Sequence, residues 1–136
     1  MMVGGLVAAH LVGLAVIGLG LAIAGQDAGL TAALGFAAVV IFYSVGQVLE
    51  VVACELPDFQ GLALVMISYA VRVIGIAAGL WAILSIPAVA PRISDGWLLL
   101  SVAGTVIAWV TGVVVVAARQ RVPVYDTVYR PPNSQD

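Results

Sequence analysis

The stretch Phe42-Tyr-Ser-Val-Gly-Gln-Val-Leu-Glu50 and the stretch Ile67-Ser-Tyr-Ala-Val-Arg72, which follows after a short turn, place polar and ionisable side chains inside apolar runs. An ionisable group within a bilayer is costly, so it usually faces a partner or a cavity and often marks function. These two stretches therefore predict two adjacent membrane-spanning helices with a candidate site on their facing sides.

The composition of the chain is that of an integral membrane protein. Its 136 residues are 63% hydrophobic and 9% charged, with no Lys, and the mean hydropathy is +1.18. In a soluble domain roughly a quarter of all residues are charged, so this chain has too few charged residues to form a water-compatible surface. The net charge of −2 is too small to indicate a nucleic-acid partner, and membrane lipid is the expected surrounding.

The residues that could bind metals or carry out catalysis are few. The single Cys54 excludes an intrachain disulfide, and one His with one Cys does not make a typical zinc site. His10 could ligate haem, but no second axial ligand at a matching depth is evident, and a hydrogen-bonded neutral imidazole is expected instead. No hydrolase, kinase or dinucleotide motif is present. We therefore predict no metal, no cofactor and no enzymatic activity.

Four apolar runs each approach the roughly 20 residues that a helix needs to span a bilayer. Continuous apolar runs of this length exclude the alternating pattern of barrel strands, so the spans must be helical. Short connections make neighbouring helices antiparallel. The sequence therefore predicts an all-α membrane domain, residues 1–118, built from two helical hairpins, 1–2 and 3–4. The predicted helices are Val3–Ala24, Leu30–Cys54, Leu62–Ser85 and Trp97–Ala118.

The distribution of Arg predicts the orientation in the membrane. Arg119, Arg121 and Arg130 follow the fourth span, whereas Arg92 is the one basic residue of the other connections. An excess of Arg marks the cytoplasmic side, so both termini are predicted to be cytoplasmic. Residues 119–136 would then form a cytoplasmic tail, whose Pro-rich, polar end predicts disorder.

Small residues recur at four-residue spacing in three of the spans. Such stripes allow close approach of helix backbones, which matters because lipid provides no hydrophobic drive between helices. Two interpretations remain open, namely packing within the four-helix unit and docking of a partner helix. Ser101 and Thr105 of the fourth span are predicted to bond to their own backbone. The candidate packing residues of the third and fourth spans are Gly75, Gly79, Gly104, Ala108 and Gly112.

The polar residues of the second and third spans form one predicted group, which we call the polar cluster. Helical spacing places each half on one face, and a turn near Pro57 and Asp58 places Arg72 level with Tyr43. Glu50 then lies about 10 Å nearer the cytoplasm, within reach of a snorkelling Arg72. The cluster could be a structural ion pair, a proton or cation site, or a patch for a charged residue of a partner. Its members are Tyr43, Gln47, Glu50, Ser68, Tyr69 and Arg72.

Several short motifs resemble the ATP synthase protein I family, in its small four-helix bacterial form. They are Tyr43-Ser-Val-Gly-Gln47, Ser68-Tyr-Ala-Val-Arg72, Ala108-Trp109 and the Arg-x-Arg-x-x-x-Tyr-Asp exit at 119–126. Members of that family often carry Lys or Gln where this chain has Arg72, and Pro123 looks inserted in the exit.

The resemblance implies a non-catalytic protein of the bacterial cytoplasmic membrane. It would assist assembly of the rotor ring of the F-type ATP synthase and bind subunit c or another membrane subunit. A small divalent-cation or proton transporter that uses Glu50 and Arg72 is the competing hypothesis, although a carrier would need polar access from both sides of the membrane.

Overall fold

The computed structural model describes residues 2–119, and within them the chain forms four long helices and one short 3-10 turn. All four helices are long and apolar enough to cross a membrane. This confirms the predicted all-α, multi-pass class. The tail prediction for 120–136 lies outside the described residues. The helices are α1 (Met2–Ala24), α2 (Gln26–Ala53), α3 (Asp58–Leu84) and α4 (Asp95–Arg119), with the 3-10 turn at Ala90–Arg92.

Three helices begin earlier than the hydropathy pattern predicts. α2 starts at Gln26 rather than Leu30, α3 at Asp58 rather than Leu62, and α4 at Asp95 rather than Trp97. Each of the extra first turns contains an Asp, which the positive end of the helix dipole stabilises. Gly25 alone then joins α1 to α2, with a φ of 86° that favours glycine.

Helix α2 is the centre of the packing. It contacts α1, α3 and α4, and α1 also packs extensively against α4. Helix α3 packs against α2 and makes no comparable contact with α4. The predicted pairing of helices 3 and 4 is therefore not found, since α3 stands beside a unit formed by α1, α2 and α4.

The two ends of the bundle can be distinguished by what they contain. The start of α1, the α2–α3 turn and the end of α4 lie together, because α1 runs antiparallel to α4 and α2 runs parallel to α4. We call this side the terminal end. The opposite side contains Gly25 and the α3–α4 connection, and we call it the loop end.

Small residues are used for packing inside the chain. A Cβ on Gly112 would lie 2.8 Å from the Cβ of Ala8, and one on Gly79 would lie 3.1 Å from the Phe42 ring. Gly75 also packs against Phe42, and Ala108 is buried. At Gly104 an added Cβ would meet α1 only in an ordinary contact of 3.6 Å. Most small residues of the α3 and α4 stripes therefore pack against other helices of the same chain, as the first of the two interpretations expects.

Polar groups also join α4 to α2 in the core. Trp109 is 2% exposed and is the largest fully buried side chain of the described residues. The Ser101 hydroxyl donates to the Ala32 carbonyl of α2 at 2.6 Å, so the prediction that it bonds to its own helix is wrong. Thr105 is fully buried, and its hydroxyl has no hydrogen-bond partner within residues 2–119, so the bond to its own backbone that was predicted for it is not found either. The sequence could not predict these contacts. The position of a Ser or Thr along its helix is the same whether its hydroxyl bonds to its own backbone or to a neighbouring helix.

A polar contact at the loop end ties the α3–α4 connection to the start of α2. Arg92 Nε lies 2.8 Å from Asp27 Oδ1. The buried Thr31 hydroxyl donates to the Asp27 carbonyl at 2.7 Å and accepts from the Ser94 N–H at 3.2 Å. This contact was not predicted from the sequence, because its members are far apart in the chain.

Candidate functional site

The polar cluster is organised around the carboxylate of Glu50. Arg72 Nη1 lies 2.8 Å from Glu50 Oε1, and the Gln47 amide donates to Oε2 at 3.0 Å. The Ser68 hydroxyl is 3.2 Å from Oε1 and 2.7 Å from the Val65 carbonyl of its own helix. The structure thus brings four of the six predicted cluster residues into direct polar contact.

The local helix geometry explains this meeting. Gln47 and Glu50 are three residues apart on α2, and Ser68 and Arg72 are four apart on α3, so each pair shares a helix face. The Arg72 side chain runs along α2 past Gly46, with its guanidinium beside the Tyr43 ring and its Nη1 at the Glu50 carboxylate.

Gly46 is a member of the site that the sequence analysis did not identify. A Cβ there would lie 2.9 Å from Cγ and 3.1 Å from Cδ of Arg72. The absence of a side chain therefore creates the space in which the Arg72 stem runs along α2. The sequence feature that could have identified Gly46 is its position inside the motif Tyr43-Ser-Val-Gly-Gln47, on the same helix face as Tyr43.

Two tyrosines flank the guanidinium of Arg72. Its Cζ lies 5.2 Å from the ring centroid of Tyr43 and 5.2 Å from that of Tyr69, distances at which cation–π attraction operates. Tyr43 also contacts Trp109, with ring centroids 5.6 Å apart. The cluster is therefore connected through Tyr43 to Trp109 of α4.

The charges of the cluster are internally compensated. Arg72 is 8% exposed, and its Nε has no hydrogen-bond partner among the described residues. Glu50 accepts from Arg72 and from the Gln47 amide, and the single hydrogen of the Ser68 hydroxyl is shared between Glu50 and the closer Val65 carbonyl, so a cation would have to displace these donors to reach the carboxylate. Within residues 2–119, no group of three or more His, Cys, Asp and Glu side chains could hold a metal ion. The geometry is that of a charge-compensated polar contact that fixes α3 against α2.

His10 lies apart from this cluster. Its Nδ1 is 2.8 Å from the Leu6 carbonyl of the same helix, and its ring meets Phe36 edge-on at 5.1 Å between centroids. The ring thus packs between α1 and α2 and is hydrogen-bonded to the backbone of its own helix.

No protein-family model matches the chain, and neither a curated protein nor a solved structure is significantly similar to it. The likeness to ATP synthase protein I is accordingly carried by the short motifs quoted above.

Proposed function

We propose that this chain is a non-catalytic membrane protein that holds a partner's transmembrane helix during assembly of a larger complex. The observation that carries the proposal is the isolation of α3, which packs against α2 and has no comparable contact with α4. The sides of α3 and α4 that face each other form, with α2 beneath them, a surface that we call the α3–α4 cleft.

The α3 wall of this cleft can be identified from the helical spacing. Leu80 lines a depression together with Leu98, Leu99 and Val102 of α4, which identifies the flank of α3 that faces α4. Tyr69 and Val73 fall on the same flank by helical spacing, and they are 59% and 70% exposed. A partner helix seated there would contact apolar side chains and the Tyr69 ring next to the polar cluster.

The hydrogen-bond partners that the Glu50 carboxylate already has favour a role in assembly over a role in ion transport. A transported ion needs a ligand that it can bind and leave, whereas Glu50 is already engaged by Arg72, Gln47 and Ser68. The polar side chains of the loop-end half that the structure describes bond to backbone groups or to each other, as Thr31, Ser101 and the Arg92–Asp27 pair do, and they form no acidic site like that of Glu50. Both features fit a protein that acts by binding a partner's helix rather than by moving an ion.

The partner that the motif resemblance implies is a membrane subunit of the F-type ATP synthase, with rotor subunit c as the first candidate. We expect tagged protein to co-purify with subunit c from bacterial membranes. Deletion is expected to lower the amount of intact rotor ring while ATP hydrolysis by the soluble head persists. Undiminished rotor rings in the deletion strain would contradict this assignment of the partner.

Blocking the cleft tests the docking step itself. Val73→Trp places bulk on the flank that faces α4, and we expect it to reduce capture of the partner severalfold. Ile67→Trp is the matched control, because Ile67 is 52% exposed on the opposite side of the same helix, and it should leave capture unchanged. Equal capture by both variants would remove the cleft from the proposal.

Proteoliposomes that contain only this protein test the competing function. We expect no divalent-cation or proton flux above that of empty vesicles, and no difference between the natural chain and Glu50→Gln. Robust flux that depends on Glu50 would instead establish the transporter hypothesis.

We further propose that the protein lies in the bacterial cytoplasmic membrane with its terminal end in the cytoplasm. In a chain in which Cys54 is replaced by Ala, a membrane-impermeant thiol reagent should label Ala90→Cys on intact cells. Ser134→Cys should react only after permeabilisation, because the Arg residues after α4 are held inside. Labelling of both positions on intact cells would contradict this orientation.

A further inference from the structure

Arg72 is buried with part of its hydrogen-bonding capacity unused. Its side chain is 9% exposed and pairs with Glu50 through Nη1, while its Nε has no hydrogen-bond partner within residues 2–119. A guanidinium carries five N–H donors in a fixed plane, and an unsatisfied donor is costly in hydrocarbon, where no water replaces the missing acceptor. The pair with Glu50 therefore balances the charge of Arg72 without using all of its donors.

The two tyrosines beside the guanidinium add further donors. Both ring centroids lie 5.2 Å from Arg72 Cζ, and the hydrogen bonds that the described residues form in the polar cluster involve neither hydroxyl. Tyr69 is 59% exposed on the flank of α3 that forms the cleft wall, whereas Tyr43 extends from α2 to Trp109 of α4. These donors therefore lie together where the α3 wall of the cleft meets α2.

The donors lie deep in the membrane-spanning part of α3. Tyr69 is about 16 Å along the helix from its first residue, Asp58, at 1.5 Å per residue, and the hydrocarbon core of a bilayer is about 30 Å thick. The next residue of the same flank, Val73, is apolar and 70% exposed. A helix seated in the cleft would bring its own side chains to this depth.

The charge balance of the cluster selects a neutral acceptor. Glu50 and Arg72 cancel each other, so a partner's carboxylate would leave a net negative charge in hydrocarbon, which is costly. A Ser or Thr hydroxyl commonly bonds to the backbone of its own helix. The amide of Asn or Gln is neutral, its oxygen accepts two hydrogen bonds, and its NH2 group can donate to a phenol oxygen.

We propose that the partner helix carries one Asn or Gln near the middle of its span, and that its amide binds the Tyr69 hydroxyl and the Arg72 guanidinium in the α3–α4 cleft. This inference rests on the proposed function, because it names the chemistry by which the cleft selects its partner. The apolar side chains of the cleft offer contact to any helix. The donors discriminate in favour of a helix with an acceptor at this depth.

Leu-rich membrane-spanning peptides that differ at one central position test this selection. A fluorophore on the exposed Cys54 of the full-length protein, in phosphatidylcholine vesicles, reports capture of a labelled peptide by energy transfer. The Asn peptide is expected to bind about three- to tenfold more tightly than the Leu peptide, the range of one hydrogen bond between membrane helices. Moving the Asn two helical turns along the same peptide should remove this advantage.

Tyr69→Phe is the matched variant, because it removes one donor and keeps the ring. It should lower the advantage of the Asn peptide at least twofold and leave binding of the Leu peptide unchanged. An Asp peptide that binds more tightly than the Asn peptide at neutral pH would overturn the choice of a neutral acceptor.

Val73→Trp separates a failure of this inference from a failure of the proposed function. It obstructs the cleft and should weaken both peptides alike. Equal binding of the Asn and Leu peptides, with both lost in Val73→Trp, would overturn the inference and leave docking in the cleft intact. Binding of both peptides that Val73→Trp does not change would contradict the proposed function, and the inference with it.

Discussion

Replacement of Glu50 by Ala is expected to lower the free energy of unfolding by about 3–5 kcal/mol, the usual cost of stranding a buried charge. Arg72 would keep its buried position but lose the carboxylate that lies 2.8 Å from its Nη1. The paired variant Glu50→Leu, Arg72→Met removes both charges and should cost far less than the two single replacements together. The strongly non-additive outcome is the signature of a compensated pair.

Reversible unfolding in mixed detergent micelles, followed by circular dichroism, measures these free energies. Glu55→Ala is the matched control, because Glu55 is an exposed carboxylate near the same end of the hairpin, and it should change stability by less than about 0.5 kcal/mol. Additive losses for Glu50→Ala, Arg72→Ala and their combination would show that the two residues do not act as a pair.

Gly112→Ala is expected to cost about 1–3 kcal/mol, the typical penalty of overpacking. The new methyl would lie 2.8 Å from the Cβ of Ala8 and 2.9 Å from the carbonyl carbon of Gly4, so the backbones of α1 and α4 would have to separate. Gly104→Ala adds the same methyl to the same stripe, but it meets Val12 at an ordinary 3.6 Å. That control variant should be neutral or slightly stabilising, since Ala favours a helix over Gly.

The same unfolding assay checks the comparison between the two glycines. Equal losses at both positions would mean that the α1–α4 contact is not as close as the structure has it. The result also bears on the sequence-based interpretation, in which Gly104, Ala108 and Gly112 were alike. The contact distances separate them, because Gly112 and Ala108 are already occupied by the chain itself.

The sequence was sufficient to predict the four spans and the composition of the polar cluster. Hydropathy reports the free energy of transferring a segment into lipid. That free energy depends more on the segment's own composition than on which helices lie next to it. Glu50 and Arg72 could be paired because two helices joined by a short turn have few possible registers. Their contact follows from local spacing and one turn.

The arrangement of the helices could not be predicted in the same way. Apolar side chains gain little by exchanging lipid for protein, so hydropathy does not distinguish the face that contacts a neighbour. The separation of α3 from α4, the bond from Ser101 to Ala32 and the contact of Arg92 with Asp27 depend on which helices meet. The role of Gly46 was likewise hidden, because a close approach is visible only once the opposing side chain is placed.

The packing of α1 against α4 has a consequence for how the protein is made. Among the four described helices, α1 is synthesised first and α4 last, so this contact cannot form until translation of α4 is complete. The α2–α3 contact, with Glu50 and Arg72, involves helices that are synthesised one after the other and can form earlier. Until α4 arrives, the Ala32 carbonyl and the Tyr43 ring lack the Ser101 and Trp109 partners of the finished bundle. The bundle of the described helices is therefore completed only when α4 packs against α1 and α2.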